Sequence, residues 1–285
     1  FILFRFFFFR AADAFLLTCA SLEFLRVLFR SLLFSLLGRF LLKPAPFVVL
    51  APHSGIGRYD LNSLEAEKTQ EWQSGIGLLT HEGPDSPLAP WLELVKKAGG
   101  PQIYPGSPLL SALMLRPQDE LICCEKHPED KRTLYGRFTR MPNVVVHERD
   151  GYEALRGLLP PKTAKRGLVL IDPPFEEPDE FGRLEQAVQT IQARFPTGII
   201  AIWYPIKHRT PVRAFFTALQ DAGVRDMLAA ELLMQPATDP TTLNGAGLLV
   251  IKPPFGFAAQ AEAQLARLKT VLHAQDYSVT QISPE

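Results

Sequence analysis

Little in this chain can carry redox or metal chemistry. Cysteine is scarce: Cys19, Cys123 and Cys124 are the only three in 285 residues, and no Cys-x-x-Cys pair occurs. This excludes a disulfide framework and a zinc–thiolate cluster, and it fits a reducing compartment. The six histidines show no His-x-x-x-His spacing, so no metal site is expected. Net charge is missing too, with 30 basic residues against 30 acidic ones. That balance argues against a broad phosphate-binding surface and leaves room only for a local basic groove. No Gly-x-x-x-x-Gly-Lys-Ser/Thr loop occurs, which argues against a P-loop ATPase. No Gly-x-Ser-x-Gly elbow occurs, which argues against an α/β hydrolase. No uninterrupted apolar run approaches the ~18–20 residues that a membrane-spanning helix needs.

What is present divides into two unequal parts. Residues 1–42 hold over half of the 20 phenylalanines, with dense leucine broken by Arg5, Arg10, Asp13, Glu23, Arg26, Arg30 and Arg39. Three readings stay open: a basic amphipathic helix on a membrane or partner, a buried helix, or a segment that is not the natural start of the domain. A signal peptide fits poorly, because no small-residue cleavage site follows cleanly. From residue 43 the pattern becomes regular α/β. Apolar runs at 47–50, 120–124, 143–147, 168–171 and 198–203 read as strands, and segments of helical spacing follow them. Segments 226–233 and 246–251 read as a late antiparallel pair, and 258–273 as a final helix. Residues 62–103, with Trp72 and Trp91, read as a helical insertion. The expectation is a mostly parallel sheet with helices on both faces. In such sheets ligands bind beyond the carboxyl ends of the strands, so strand-end residues become the site candidates.

The most informative of these is Gly-Leu-Val-Leu-Ile-Asp-Pro-Pro-Phe at 167–175. A buried strand delivers Asp172 to its carboxyl edge, and Pro173 and Pro174 end the strand and stiffen the turn. Phe175 then lies a fixed distance from the carboxylate. Such a loop suits a planar ring with an exocyclic amine: the acid bonds the amine and the aromatic stacks on the ring. Other strand ends read as follows. His53, Gly55 and Gly57 after the first strand allow close approach of a ligand to backbone, or form a plain turn. Glu125 after the second suits the two hydroxyls of a ribose, or is a solvated acid. Asp150 and Gly151 after the third suit a cofactor adenine, or cap a helix. Trp203-Tyr204-Pro205, ending the fifth, walls the substrate pocket or packs in the core. A second Pro-Pro-Phe, after Lys252, reads as structural, since a lysine cannot accept a bond from an amine.

Asp172-Pro173-Pro174-Phe175 resembles the Asp/Asn-Pro-Pro-Tyr/Phe motif of amino-methyltransferases that use S-adenosyl-L-methionine. More narrowly, residues 53–59, 104–108, 125–128, 150–151, 172–175 and 203–205 follow the order seen in the RlmJ family, which methylates N6 of an adenine in 23S ribosomal RNA. The similarity covers about residues 44 to 285. It implies a Rossmann-like class I methyltransferase fold and a cytoplasmic enzyme that acts on protein-free or early-precursor 23S RNA without metal. It also implies roles: His53, Gly55, Ser107, Glu125, Asp150, Gly151 and Asp172 toward the cofactor, Asp172 as acid–base residue, and Pro173, Pro174, Phe175 and Tyr204 toward the substrate. The chain departs from the family twice. It has Ala51-Pro52-His53-Ser54-Gly55 where the family usually has Asp-Thr-His-Ala-Gly, and residues 1–42 do not match the family's amino-terminal segment. The rival expectations are a DNA adenine methyltransferase and a non-catalytic, membrane-associated relative.

Overall fold

The computed structural model describes residues 23–63, 71–177 and 179–284. Residues 1–22 of the phenylalanine-rich segment and residues 64–70 of the expected insertion lie outside the described residues. Helix α1 (Glu23–Leu41) precedes β1 (Val48–Ala51) and β2 (Arg58–Asp60). Helices α2 (Glu71–Ser74) and α3 (Ala89–Gly99), with a 3-10 turn between them, lead to β3 (Ile103–Pro105) and α4 (Ser107–Met114). Strand–helix units follow: β4 (Glu120–Glu125) with α5 (Pro128–Phe138), β5 (Val144–Glu148) with α6 (Gly151–Leu158), and β6 (Gly167–Ile171) with α7 (Glu180–Arg194). The chain closes with β7 (Ile199–Ile206), α8 (Arg209–Asp221), β8 (Met227–Leu233), β9 (Gly245–Ile251), α9 (Phe257–Val271) and β10 (Asp276–Ser283).

Eight strands form one sheet in the order β10-β8-β9-β7-β6-β1-β4-β5. From β5 to β7 all pairings are parallel; β9, β8 and β10 add antiparallel. β1 and β6 are buried along their whole length, as parallel strands covered on both faces must be. Side chains alternate between two cores. Val49, Leu168, Leu170 and Trp203 point to one, under α1, α3, α4, α5 and α9. Leu50, Val169, Ile171 and Tyr204 point to the other, under α6, α7 and α8. The chain winds outward from β1 through β4 to β5, then returns to β1's other side with β6. The order reverses there, which makes the carboxyl edge between β1 and β6 the place where a ligand crevice opens.

Of the three readings of residues 1–42, the described part supports the buried helix. Val27, Leu28, Leu32, Leu33, Leu36 and Leu37 have no exposed surface. α1 packs on α9, α4 and β9, so it is wrapped on most sides and needs no polar face. Among the described residues no helix is long and apolar enough to cross a membrane. Each buried leucine contributes about 1.5–3 kcal/mol relative to exposure.

Three local expectations are corrected. The insertion is framed by strand: β2 and β3 form a two-stranded antiparallel sheet in which Tyr59 opposes Tyr104. β7 does not end at Trp203 but runs on to Ile206. It carries Pro205 because β6 stops pairing at Ile202 and leaves β7 open on that side, where a proline is tolerated. The terminal β10 was not expected at all; its weak alternation pairs only with β8, at the sheet's edge.

Candidate active site

The carboxyl ends of β1, β4, β5 and β6 bring most of the expected residues together. The loop after β1 turns on Gly55 (φ 60°) and Gly57 (φ 75°), a region that L side chains rarely enter. A side chain at Gly57 would strike Leu134 of α5 at 2.7 Å. Glu125, at the end of β4, binds two loops at once. Its Oε2 accepts from Gly55 N at 2.8 Å and its Oε1 from His127 N at 3.0 Å. A carboxylate has about four acceptor positions, so capacity remains for ribose hydroxyls. Gly57 O accepts from Gly106 N at 2.9 Å, which sets Ser107, buried at the first turn of α4, beside the same loop. Arg137 of α5 donates from Nε to Ile56 O at 2.9 Å and steadies the loop from outside.

At the end of β5, Asp150 caps α6 by accepting from Tyr152 N (2.9 Å) and Glu153 N (3.3 Å). Its other oxygen faces Lys126 at 3.5 Å and Arg183 at 3.7 Å. Burial works to raise this carboxyl, but the two amide bonds and the two cations outweigh it and hold Asp150 below the usual carboxylate range. The helix-cap reading of Asp150 describes what the structure shows, and its second oxygen stays beside two cations. Gly151 is required beside it. A Cβ there would lie 2.0 Å from Pro52 O, so only glycine lets the β5 end close on the β1 loop.

His53 faces Tyr152 edge to face at 4.7 Å. Burial lowers its pKa to about 4, Asp150 pulls the other way, and Arg183 lowers it further. The imidazole is neutral at physiological pH. Its Nδ1 is buried and has no hydrogen-bond partner among the described residues. Tyr152 in turn donates to Glu180 Oε1 at 2.5 Å, and Arg183 lies 4.4 Å over the Tyr152 ring. Sequence reasoning missed Tyr152, Glu180, Arg183 and Arg137. Only Tyr152 had a signal, its place directly after Asp150-Gly151.

Asp172 stands at the end of β6. Its apolar surroundings raise its pKa, against the pull of Arg26 and then Arg30. Pro173 is buried and Pro174 exposed. Phe175 takes φ 54°, an uncommon conformation for a bulky residue and a mark of local constraint. Its ring meets Phe181 at 5.3 Å and Trp203 at 5.8 Å, both near perpendicular. Tyr204 is the correction among the expected site residues. Strand alternation sends it to the opposite face, where it is fully buried against Phe216 and donates to Glu231 Oε1 at 2.8 Å. Trp203, on the other face, meets the Phe175 ring. The thiols of Cys123 and Cys124 are pushed up to about 12 by burial, so neither serves as a nucleophile. Among the described residues no group of three or more metal-binding side chains occurs.

The donor set fits S-adenosyl-L-methionine. The crevice offers a carboxylate at the second strand, a capped acid at the third, an orphaned imidazole nitrogen, and glycines where a Cβ would clash.

Comparison with known proteins agrees. A family model described as Ribosomal RNA large subunit methyltransferase D, RlmJ, matches residues 44–282. A Haemophilus influenzae protein named Ribosomal RNA large subunit methyltransferase J is 38% identical over 253 residues, spanning 86% of this chain and 89% of its own. An Escherichia coli protein of the same name is 35% identical over 238 residues, 82% of this chain and 83% of its own. A crystal structure from Legionella pneumophila superposes with a TM-score of 0.80 at 30% identity, covering 90% of this chain and 96% of that one.

Proposed function

The chain belongs to the RlmJ family of ribosomal RNA large subunit methyltransferases, and from that premise we propose that it methylates the N6 amine of an adenine in 23S ribosomal RNA. The observation that carries the reading is the position of Asp172-Pro173-Pro174-Phe175. It lies at the carboxyl edge of β6, next to β1, where the strand order reverses.

His53, Gly55, Ser107, Glu125, Asp150 and Gly151 hold S-adenosyl-L-methionine, which supplies an electrophilic methyl on a sulfonium when bound. The chain's own residues do the rest. An adenine amine is a poor nucleophile because its lone pair is delocalised into the ring. Asp172 accepts a hydrogen bond from the amine, and the carbonyl of the Pro173 region accepts the other. Together they favour the pyramidal form with a localised lone pair. Asp172 then takes or relays the proton that the nitrogen loses. Phe175, fixed by Phe181 and Trp203, stacks on the extruded base, and holding the two reactants in line supplies much of the rate. Lys126 and Arg183 pair with Asp150 at the crevice rim. The substrate is protein-free or early-precursor RNA in the cytoplasm.

The test is transfer of labelled methyl to protein-free 23S RNA, to assembled large subunits and to duplex DNA. The expected product is N6-methyladenine in the free RNA. Equal transfer to duplex DNA would replace the RNA reading with the DNA one. Unreduced turnover in Asp172→Ala would remove Asp172 from its role.

A further inference from the structure

Helix α7 starts at Glu180, shortly after the Asp172–Phe175 loop, and its first turn reaches both halves of the site. Toward the substrate side, Phe181 meets Phe175 at 5.3 Å and Phe215 of α8 at 5.2 Å. Toward the cofactor side, Glu180 is 2% exposed, and its Oε1 accepts the Tyr152 hydroxyl at 2.5 Å. Arg183 shares a helix face with Glu180. Its guanidinium lies 4.4 Å over the Tyr152 ring, 4.0 Å from Glu180 Oε1 and 3.7 Å from Asp150 Oδ2. Tyr152 is thereby held at its hydroxyl and on its face. Its ring meets His53 edge to face at 4.7 Å, and its N–H donates to Asp150 Oδ1 at 2.9 Å. The contacts are continuous from one side to the other. His53 and Asp150 touch Tyr152, Tyr152 touches Glu180, and the next residue, Phe181, touches Phe175.

Apolar packing alone would join these two helices. Leu155 of α6 and Leu184 and Val188 of α7 are fully buried in one core. A buried carboxylate adds a desolvation cost there, and well-packed apolar residues in place of such a group are often neutral or stabilising. What a hydroxyl–carboxylate bond adds is direction: it ties one orientation of Tyr152 to one position of α7. From this geometry we infer that Glu180, Tyr152 and Arg183 are positioning residues of the methyl-transfer site. They set His53 and Asp150 for the cofactor and, through the first turn of α7 and Phe181, set Phe175 for the base. One network thus fixes the two reactants relative to each other, as in-line transfer demands. The inference deepens the reading of the site given above and rests on it.

The experiment uses the full chain, calorimetric titration with S-adenosyl-L-methionine, and methyl transfer to protein-free 23S RNA. Tyr152→Phe keeps the ring between His53 and Arg183 and removes the bond to Glu180. Cofactor binding should weaken several-fold, and kcat/KM for RNA should fall about ten- to a hundredfold. Glu180→Gln keeps an acceptor for the hydroxyl and should stay within about threefold of wild type in both readouts. Tyr152→Phe combined with Glu180→Leu replaces both polar partners by apolar ones, so stability should return. Transfer and cofactor affinity should stay as low as in Tyr152→Phe, because the apolar pair packs without fixing a direction. Arg183→Met takes the cation from the Tyr152 face and from Asp150, and should also weaken cofactor binding several-fold.

A double-mutant cycle reads the coupling between the two sides. Phe175→Ala made in Tyr152→Phe should cost less in kcat/KM than Phe175→Ala made in wild type. Losses that simply multiply overturn the coupling. Recovery of transfer together with stability in the apolar pair reduces the network to a structural role and overturns the inference. So does a loss in Glu180→Gln equal to that in Tyr152→Phe. Unchanged cofactor affinity in Tyr152→Phe overturns the cofactor half, and unchanged affinity in Arg183→Met removes Arg183 from the network. If wild type methylates no RNA, the proposed function fails while calorimetry still decides on the network, so the two failures are distinguishable. Thermal melts check folding, and the apolar pair serves as the folded reference if Tyr152→Phe is unstable.

Discussion

The chain contains Pro-Pro-Phe twice, each time straight after an apolar strand, and the two copies have become opposite things. Pro173-Pro174-Phe175 follows β6, which is parallel to its neighbours, so the loop lies at the carboxyl edge with the other strand ends of the site. Pro253-Pro254-Phe255 follows β9, which is antiparallel to β7. Ile251 pairs with Ile200, so that loop lies at the amino edge, across the whole sheet. Phe175 is held between Phe181 and Trp203; Phe255 is 95% exposed. The preceding residues differ in the same sense. Asp172 sits in apolar surroundings with two arginines acting on it, while Lys252 reaches out to the carbonyl of Pro196. A tripeptide therefore carries no function by itself. Strand direction decides which edge it reaches, and the residue before it decides what it can bond.

The largest effect should come from the acid. Asp172→Ala should lower kcat for RNA methylation by about a hundred- to ten-thousandfold, the range for a lost acid–base group, while cofactor binding survives. Methylation assays alongside calorimetry decide this, and comparable loss in Lys252→Ala would erase the contrast between the loops. The second effect concerns pH. His53 titrates near 4 in the folded protein because burial disfavours its charged form. In the unfolded chain it titrates near its ordinary ~6.5. Between those values the unfolded state binds the proton and the folded state does not. Stability is therefore full above ~6.5 and is lost as pH falls toward 4, by roughly 3 kcal/mol in all. Denaturant melts from pH 7 to pH 4 should show this loss, and His53→Gln should flatten it. The exposed amino-edge loop has no such group, so variants there should leave the pH slope unchanged. Third, Phe175→Ala should lower kcat/KM for RNA roughly five- to a hundredfold, the worth of one base–aromatic stack of about 1–3 kcal/mol. Phe255→Ala should not change it.

The sequence made the site strands legible because burial on both faces leaves continuous apolar runs, as in 48–51 and 167–171. Their order placed His53, Glu125, Asp150 and Asp172 along one edge. Gly55 and Gly57 were legible as a turn, whereas the close approach of Pro52 that demands Gly151 appears only in the fold. Three things were hidden, each for a tertiary reason. α1 reads the same whether protein or lipid surrounds it, since either environment permits apolar residues all round. Tyr204 was misplaced because β7 runs four residues beyond the point where β6 stops pairing, so alternation, not a strand end, sets its direction. Arg26 and Arg30 looked like interruptions in an apolar segment. Only the packing of α1 against the rest of the protein shows what they face.

The smallest expected effect is the sharpest test of the comparison. Lys252→Asp recreates Asp-Pro-Pro-Phe at the amino edge. Lys252 holds φ 59°, a region that aspartate tolerates better than most residues. Among the described residues its side chain bonds only the exposed carbonyl of Pro196, so stability should change by no more than about 0.5 kcal/mol. Methyl transfer should equal wild type, and Lys252→Asp should restore nothing to Asp172→Ala. The restored motif would still have Phe255 in solvent and no glycine loop beside it. Any recovered methylation in the double variant would mean that the tetrapeptide suffices, and that the strand edge does not choose between the loops.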